Sequence, residues 1–470
     1  MLDWLDTIDS FIWGPFLLIP LLLGTGIYLT IRLGGLQFLK LIPALRMAFF
    51  DGSEKDAAGD ISHYQALTTA LAATVGVGNI AGVATAIYLG GPGAVFWMWV
   101  TALFGMASKY SEAFMGVRFR TTDARGEISG GPQWYLKRAI PGRFGVVLSI
   151  AFAAFAILAS FGIGNMTQSN TVAAVVKDQF GITPWITGLV LMAFTGLVLI
   201  GGIKSIAKVT AAVVPGMIGL YVLAALVVLG LNIGGIPDAL ATIFTDAFTG
   251  TAAAGGFTGA VIAQAIQFGV ARGIFSNESG LGSAAIAAAA AKTQHPVRQG
   301  LVSMTQTFID TIIVVTMTAL VIVSTGAWTS GNKGATMTSE AFSVGLPGEW
   351  GSLIVTVAVI FFAGSTVLGW AYYGERCAQR LFGIKAVKIY RVIFTLVVFL
   401  GATTELSTVW TLSDIMNGLM ALPNLVGLLI CSGLIARETR AYLKRDPDLR
   451  NPPPGSTLDG ISEWETSTRN

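Results

Sequence analysis

Apolar residues run along this chain in windows of about twenty, each long enough to cross the roughly 30 Å hydrocarbon core of a bilayer as a helix. The windows fall near 11–31, 64–89, 92–117, 145–176, 184–203, 206–231, 255–290, 300–325, 350–375, 388–404 and 408–435, which predicts eleven membrane spans. Two of them are broken, by Thr74-Val-Gly-Val-Gly-Asn-Ile-Ala-Gly-Val-Ala84 and by Gly273-Ile-Phe-Ser-Asn-Glu-Ser-Gly-Leu-Gly-Ser-Ala284. Backbone groups freed by such breaks cost several kcal/mol each in hydrocarbon, so breaks persist only where protein or a polar cavity satisfies them. Corresponding breaks in two halves of a chain point to a binding site at membrane depth.

A second echo sits beside each break. Ile42-Pro43 opens an apolar-spaced segment before the first, and Ile236-Pro237 opens one before the second. Each has the pattern of a short helix lying in the interface. One copy carries Lys40 and Arg46, whereas the other carries Asp238 and Asp246. That sign reversal is what an inverted repeat predicts. One extra span at 11–31, a first repeat at about 64–231 and a second at about 255–435 account for the series, as five plus five inverted spans within a single domain, 1–445.

Composition agrees: 53% of the 470 residues are hydrophobic, 12% are charged and the mean hydropathy is +0.70. Gly, at 57 residues, suits close helix packing in lipid. The first span follows Asp3, Asp6 and Asp9 and is too long for a cleaved signal peptide, so it is expected to remain. Of the 29 Lys and Arg, only Lys177 and Lys333 fall outside, and Lys109 and Arg272 within spans, if the N-terminus is outside and the C-terminus cytoplasmic. The net charge of +3 therefore follows topology and signals no nucleic-acid partner. Residues 446–470, with Pro452-Pro453-Pro454-Gly455, read as a disordered cytoplasmic tail. Cys377 and Cys431 read as small packing residues.

Unwinding at Gly76, Gly78 and Gly82 exposes amides at one half-helix end and carbonyls at the other, and the N-terminal half-helix dipole attracts a carboxylate. Carbonyls, the hydroxyls of Thr74, Ser365 and Thr366 and the amide oxygen of Asn79 are hard ligands suited to an alkali cation. Charges inside spans are costly and usually functional. Arg272 and Glu278 flank the second break, which is expected to bring them together as a gate or a structural pair. Lys109 and Glu112 are spaced as an i,i+3 pair expected to snorkel at the cytoplasmic end. Asp310 reads as a proton carrier or a hydrogen-bonded carboxylate. His63 and His295 fall in connections, and neither a His-Glu-x-x-His pair nor a phosphate-binding loop occurs, so no enzyme is expected.

Four segments carry a family resemblance: Thr74-Val-Gly-Val-Gly-Asn-Ile-Ala-Gly-Val-Ala-Thr-Ala-Ile87, Gly90-Gly-Pro-Gly-Ala-Val-Phe-Trp-Met-Trp99, Gly130-Gly-Pro132 and Phe275-Ser-Asn-Glu-Ser-Gly-Leu-Gly-Ser283. The chain resembles the alanine or glycine:cation symporters through nearly its whole length. The resemblance implies a LeuT-type fold in a cell inner (plasma) membrane, coupling entry of alanine or glycine to sodium, with no cofactor. Proton coupling, or amino-acid sensing without transport, are the alternatives. It also implies that Val75, Gly76 and Gly78 hold the substrate carboxylate and that Phe275, Ser276 and Asn277 form the second break. Gln168, Thr366 and Trp370 would complete the pocket. One cation site would use Thr74 and Asn79, and the other Ala72, Val75, Ser365 and Thr366. The first break lacks the Asp of monoamine-type relatives, which favours a substrate bringing its own carboxylate, and the bulk of Phe275 and Trp370 favours a small side chain.

Overall fold

A computed structural model describes residues 3–14, 16–50, 57–249, 258–348, 350–404 and 407–450. The start of the span expected at 255–290, and the tail from 451, lie outside the described residues. Apart from one small hairpin, the regular structure described is helical. Six continuous helices among the described residues are long and apolar enough to cross a membrane: Gly142–Phe180, Gly202–Leu231, Pro296–Ser324, Trp350–Phe382, Ala386–Thr403 and Val409–Arg445. Leu18–Arg32, Ala81–Gly90 and Pro184–Ile200 are apolar but shorter.

In chain order, α1 (Asp3–Ile12) precedes α2 (Leu18–Arg32), and α3 (Leu41–Phe49) is the segment expected to lie in the interface. The first broken span is α4 (His63–Thr74) and α5 (Ala81–Gly90). Next come α6 (Ala94–Arg118), the hairpin β1 (Thr121–Thr122) and β2 (Ile128–Ser129), α7 (Pro132–Ala139), α8 (Gly142–Phe180), α9 (Pro184–Ile200) and α10 (Gly202–Leu231). The second half runs through α11 (Ile236–Thr249), the broken α12 (Thr258–Asn277) and α13 (Ala284–Ala289), α14 (Pro296–Ser324), α15 (Gly334–Gly345), α16 (Trp350–Phe382), α17 (Ala386–Thr403) and α18 (Ser407–Arg445). The two broken pairs pack with α6 and α14, while α8, α9, α16 and α17 pack together beside them. Hydropathy did not reveal α1, α7 or α15, because none carries a full apolar window.

Each break has a local cause. Ser62 and Gln65 form a capping box that starts α4. The helix stops where Val75 turns to ψ 86° and Gly76 extends, and a short 3₁₀ turn at Val77–Asn79 leads into α5. A Cβ on Gly76 would stand 2.4 Å from the Thr366 hydroxyl, so this approach of α4 to α16 requires glycine. In the second break Glu278 takes φ +55° and Gly280 φ +92°, which takes the chain out of the helix between α12 and α13. The long helices α8 and α14 each contain a π-helical stretch, Gly162–Met166 and Phe308–Val315, and such wide turns occur frequently at functional sites.

Lys109 and Glu112 do not snorkel. Both are fully buried, 3.8 Å apart, on the face of α6 turned to the second break. Lys109 Nζ donates to the Glu278 carbonyl at 2.9 Å, and Glu112 accepts from the Gly282 amide at 3.0 Å and from Asn424 at 2.9 Å. Asn424 also donates to the Gly280 carbonyl. Each freed backbone group at membrane depth needs a partner within the protein, and that need is set against the cost of burying the ion pair.

One end of the bundle is tied by charges. Arg120 donates to the carbonyls of Ala289, Ala291, Thr293 and Ala58, fastening the end of α13 to the segment before α4. Arg376, buried at the end of α16, pairs with Asp123 at 3.3 Å and Glu127 at 2.6 Å in the hairpin. Burial alone would raise the Asp123 carboxyl. Hydrogen bonds from Gln379 and from the Arg125 and Glu127 amides, with the Arg376 charge, outweigh burial and hold it below its ordinary 3.8. The boundary expected at 445 is corrected: Asp446 pairs with Arg298 at 3.7 Å and Leu449 is buried, so packed chain continues to Arg450.

Two outcomes are expected in detergent. Glu112→Ala leaves Lys109 buried without its counter-charge and should cost about 3–5 kcal/mol, seen as loss of the monodisperse folded peak; a thermal midpoint like the wild type's would refute the anchoring role. Because the Asp123 carboxyl is lowered, its contribution is full above its ordinary 3.8 and disappears as pH falls through its folded value. The gap in thermal midpoint between wild type and Asp123→Asn should therefore be open at pH 7 and close in strong acid.

Candidate functional site

The two breaks meet around a small enclosed cavity of about 10 Å³, room for roughly one water molecule. Thr74, Gly76 and Gly78 reach it from the first broken span, Phe275 and Glu278 from the second, Ile163 and Gln168 from α8, Thr366 and Trp370 from α16 and Asn417 from α18. Ile163 stands within the π turn of α8 and Gln168 just beyond it, which explains how two residues five positions apart face one cavity. The Gly76 amide donates to Asn79 Oδ1 at 2.9 Å, and the Val77 amide to Gln168 Oε1 at 3.4 Å. Asn417 Oδ1 is buried with no hydrogen-bond partner among the described residues.

Beside the cavity, oxygen ligands collect in two places. Ser365 and Thr366 hydroxyls both lie on the Ala72 carbonyl, at 3.4 and 3.0 Å, where α4 ends. The second place centres on Asp310, in the π stretch of α14. Its carboxylate accepts from Asn79 at 2.7 Å, Ser276 at 2.8 Å and Thr311 at 2.8 Å, so one acidic group joins both breaks. All four side chains are buried. Thr74 turns elsewhere. Its hydroxyl accepts from Gln306, one helical turn before Asp310 on α14.

Phe275 closes the cavity on the side of α1. Beyond it lies a 460 Å³ vestibule lined by Asp9, Arg272, Trp410 and Asp414 among others. The Phe275 ring stacks on Trp410 at 6.4 Å, and the Arg272 guanidinium stands 5.4 Å above the Phe275 ring. Arg272 pairs with Asp414 of α18 at 3.4 Å. Arg272 and Glu278, expected to meet, have different partners: α12 continues through Asn277, and Arg272 turns to Asp414. Glu278 instead faces the cavity and accepts from Ser283 at 2.5 Å.

Of the residues expected to bind substrate, Gly76, Gly78, Gln168, Phe275, Thr366 and Trp370 line the cavity. Val75, Ser276 and Asn277 do not. Val75 ends α4, Ser276 turns to Asp310, and Asn277 donates to Thr311 and accepts from the Ser279 amide, holding the break itself. The Thr74 and Asn79 hydrogen bonds go to different residues of α14, Gln306 and Asp310. Sequence reasoning missed Asn417, Asp414 and Asn424. An Asp and two Asn at positions 414, 417 and 424 of one apolar helix were the available signal.

The sodium:alanine symporter family matches residues 1–453. The sodium/alanine symporter AgcS of Methanococcus maripaludis is 54% identical over 93% of this chain and 96% of its own. The amino-acid carrier protein AlsT of Bacillus subtilis is 36% identical over 93% and 91%. Among solved structures, MhsT in complex with L-phenylalanine superposes with a TM-score of 0.56 at 14% identity, over 82% of this chain and 99% of that one, and shows the same LeuT fold.

If Phe275 and the Arg272–Asp414 pair close the cavity, a cysteine behind them reports it. With Cys377 and Cys431 replaced by alanine, Asn417→Cys should react slowly with a membrane-impermeant maleimide, and several-fold faster when Phe275→Ala or Asp414→Asn is added. Equal rates in all three chains would remove the lid.

Proposed function

The chain belongs to the sodium:alanine symporter family, a family of transporters and not enzymes, and we propose that it imports alanine and glycine with sodium by alternating access. The observation that carries this reading is the cavity at the meeting of the two breaks, walled by backbone amides, an acid, two amide side chains and two aromatic rings. An amino-acid carboxylate would take the Gly76 and Val77 amides from Asn79 and Gln168. Its ammonium would meet Glu278 and the unpartnered Asn417 oxygen. Phe275 and Trp370 leave space for a small side chain, and a cavity this small in the closed form must widen to admit even alanine.

One sodium would sit on the carbonyls of Ala72 and Val75 with Ser365 and Thr366. A second would replace the hydrogen bonds among Asn79, Ser276 and Asp310, where three side chains already converge on one carboxylate. Both positions touch the broken spans, so cation binding would order the site and raise substrate affinity, and substrate must raise cation affinity equally. The same Asp310 supports the second reading, proton coupling, because a carboxylate shared by both breaks would report its protonation to each.

The topology we propose is eleven spans: α2 alone, then five in each inverted repeat, with α4–α5 and α12–α13 as the corresponding first members. The N-terminus lies outside by the distribution of Lys and Arg. The vestibule that α1 lines would then open outward, and the Arg120 and Arg376 ties would close the cytoplasmic side. The tail from 451 is taken as cytoplasmic.

Labelled alanine uptake into proteoliposomes tests the reading. An inward sodium gradient is expected to drive accumulation that an equal-voltage proton gradient does not; proton-driven accumulation alone would move the coupling to Asp310. Thr366→Ala, which removes a hydroxyl ligand, should raise the sodium concentration for half-maximal uptake by roughly tenfold. Unchanged sodium dependence and alanine affinity in that variant would refute the placement.

A further inference from the structure

A wide groove of 1070 Å³ lies away from the breaks, between α9 and α17. Its walls are apolar, with Ala193, Leu197 and Ile200 on α9 and Val392 and Leu396 on α17. Cations gather at one end of it, where α9 finishes and α17 begins: Arg125 from the hairpin, then Lys385, Lys388 and Arg391. Arg391 is committed to Glu375 at 2.6 Å, and Arg125 pairs with Glu127 at 3.3 Å. Lys385 and Lys388 are exposed, and neither has an ion-pair partner among the described residues.

The dimensions suit an amphiphile. From Lys385 to Leu396 a helix rises about 16 Å, roughly half of the hydrocarbon core. The groove is therefore one leaflet deep, with its positive charges where headgroups lie. A soluble anion would have no use for the apolar length. A second copy of the chain docked here by a twofold axis would bring like-charged lysines toward one another.

We propose that this groove binds one anionic phospholipid, its phosphate held by Lys385 and Lys388 with Arg125 at the margin, and an acyl chain laid between α9 and α17. The lipid would bridge two parts of the molecule. Arg125 belongs to the hairpin that Arg376 ties to α16, so the headgroup joins that hairpin to the start of α17. The inference needs the chain to be membrane-embedded and is independent of which ion or substrate is carried.

The test is native mass spectrometry of the full chain, delipidated in detergent and titrated with phosphatidylglycerol or phosphatidylcholine. Wild type should hold one phosphatidylglycerol tighter than phosphatidylcholine by roughly tenfold or more. Lys385→Gln with Lys388→Gln should remove the preference, and Lys385→Arg with Lys388→Arg should keep it. Ala193→Trp, which fills the apolar wall, should weaken both lipids. Inorganic phosphate at millimolar concentration should not displace the bound lipid; displacement would reduce the site to an anion site. Equal affinity for the two lipids in wild type, or a preference that survives the glutamine pair, would each overturn the proposal.

Discussion

Backbone that leaves the helix at membrane depth must find partners within the protein, and the rest of this structure follows from where those partners come from. In the first break Asn79 turns back onto the Gly76 amide, and Gln168 reaches the Val77 amide from α8. The second break draws on a buried ion pair, with Lys109 on the Glu278 carbonyl and Glu112 on the Gly282 amide, and on Asn424 from α18. Apart from Asn79, the partners come from α6, α8 and α18, so satisfying the breaks also fixes how those helices stand around the cavity. Asn417 Oδ1, on a residue that lines the cavity, has no hydrogen-bond partner among the described residues.

The same constraint explains the charge distribution. A buried Lys–Glu pair is a poor source of stability by itself, since desolvation offsets its attraction. It is retained where each charge has a backbone group to serve, as here. Asp310 follows the same logic with hydroxyls and an amide in place of backbone, and Arg120 does so at the far end of α13.

Much of this was legible in the sequence. The apolar windows mark the long helices, and Gly76 and Gly280 mark the breaks because only glycine tolerates the approach of Thr366 or a φ of +92°. The cavity residues Gly76, Gly78, Gln168, Phe275, Thr366 and Trp370 followed from the motif resemblance. What could not be read was pairing across distance. Spacing along α6 gives Lys109 and Glu112 a common face without saying whether that face meets lipid headgroups or a broken backbone. Likewise nothing local to Arg272 names Asp414, which is 142 positions away.

The π turns in α8 and α14 carry a consequence for how such a chain tolerates length changes. A wide turn holds one residue more than an α turn, so a helix containing one stores a spare residue without losing its continuity. Deleting one residue within Gly162–Met166 would let the turn close to ordinary pitch, with both ends of α8 still reaching their neighbours. Residues beyond it would keep their faces, Gln168 included, because the wide turn already takes up the rotation of about 100° that one residue adds in an α-helix. In these two helices, a one-residue deletion at the π stretch would change only the local turn, whereas the same deletion in an ordinary α turn would bring everything beyond it onto a new face.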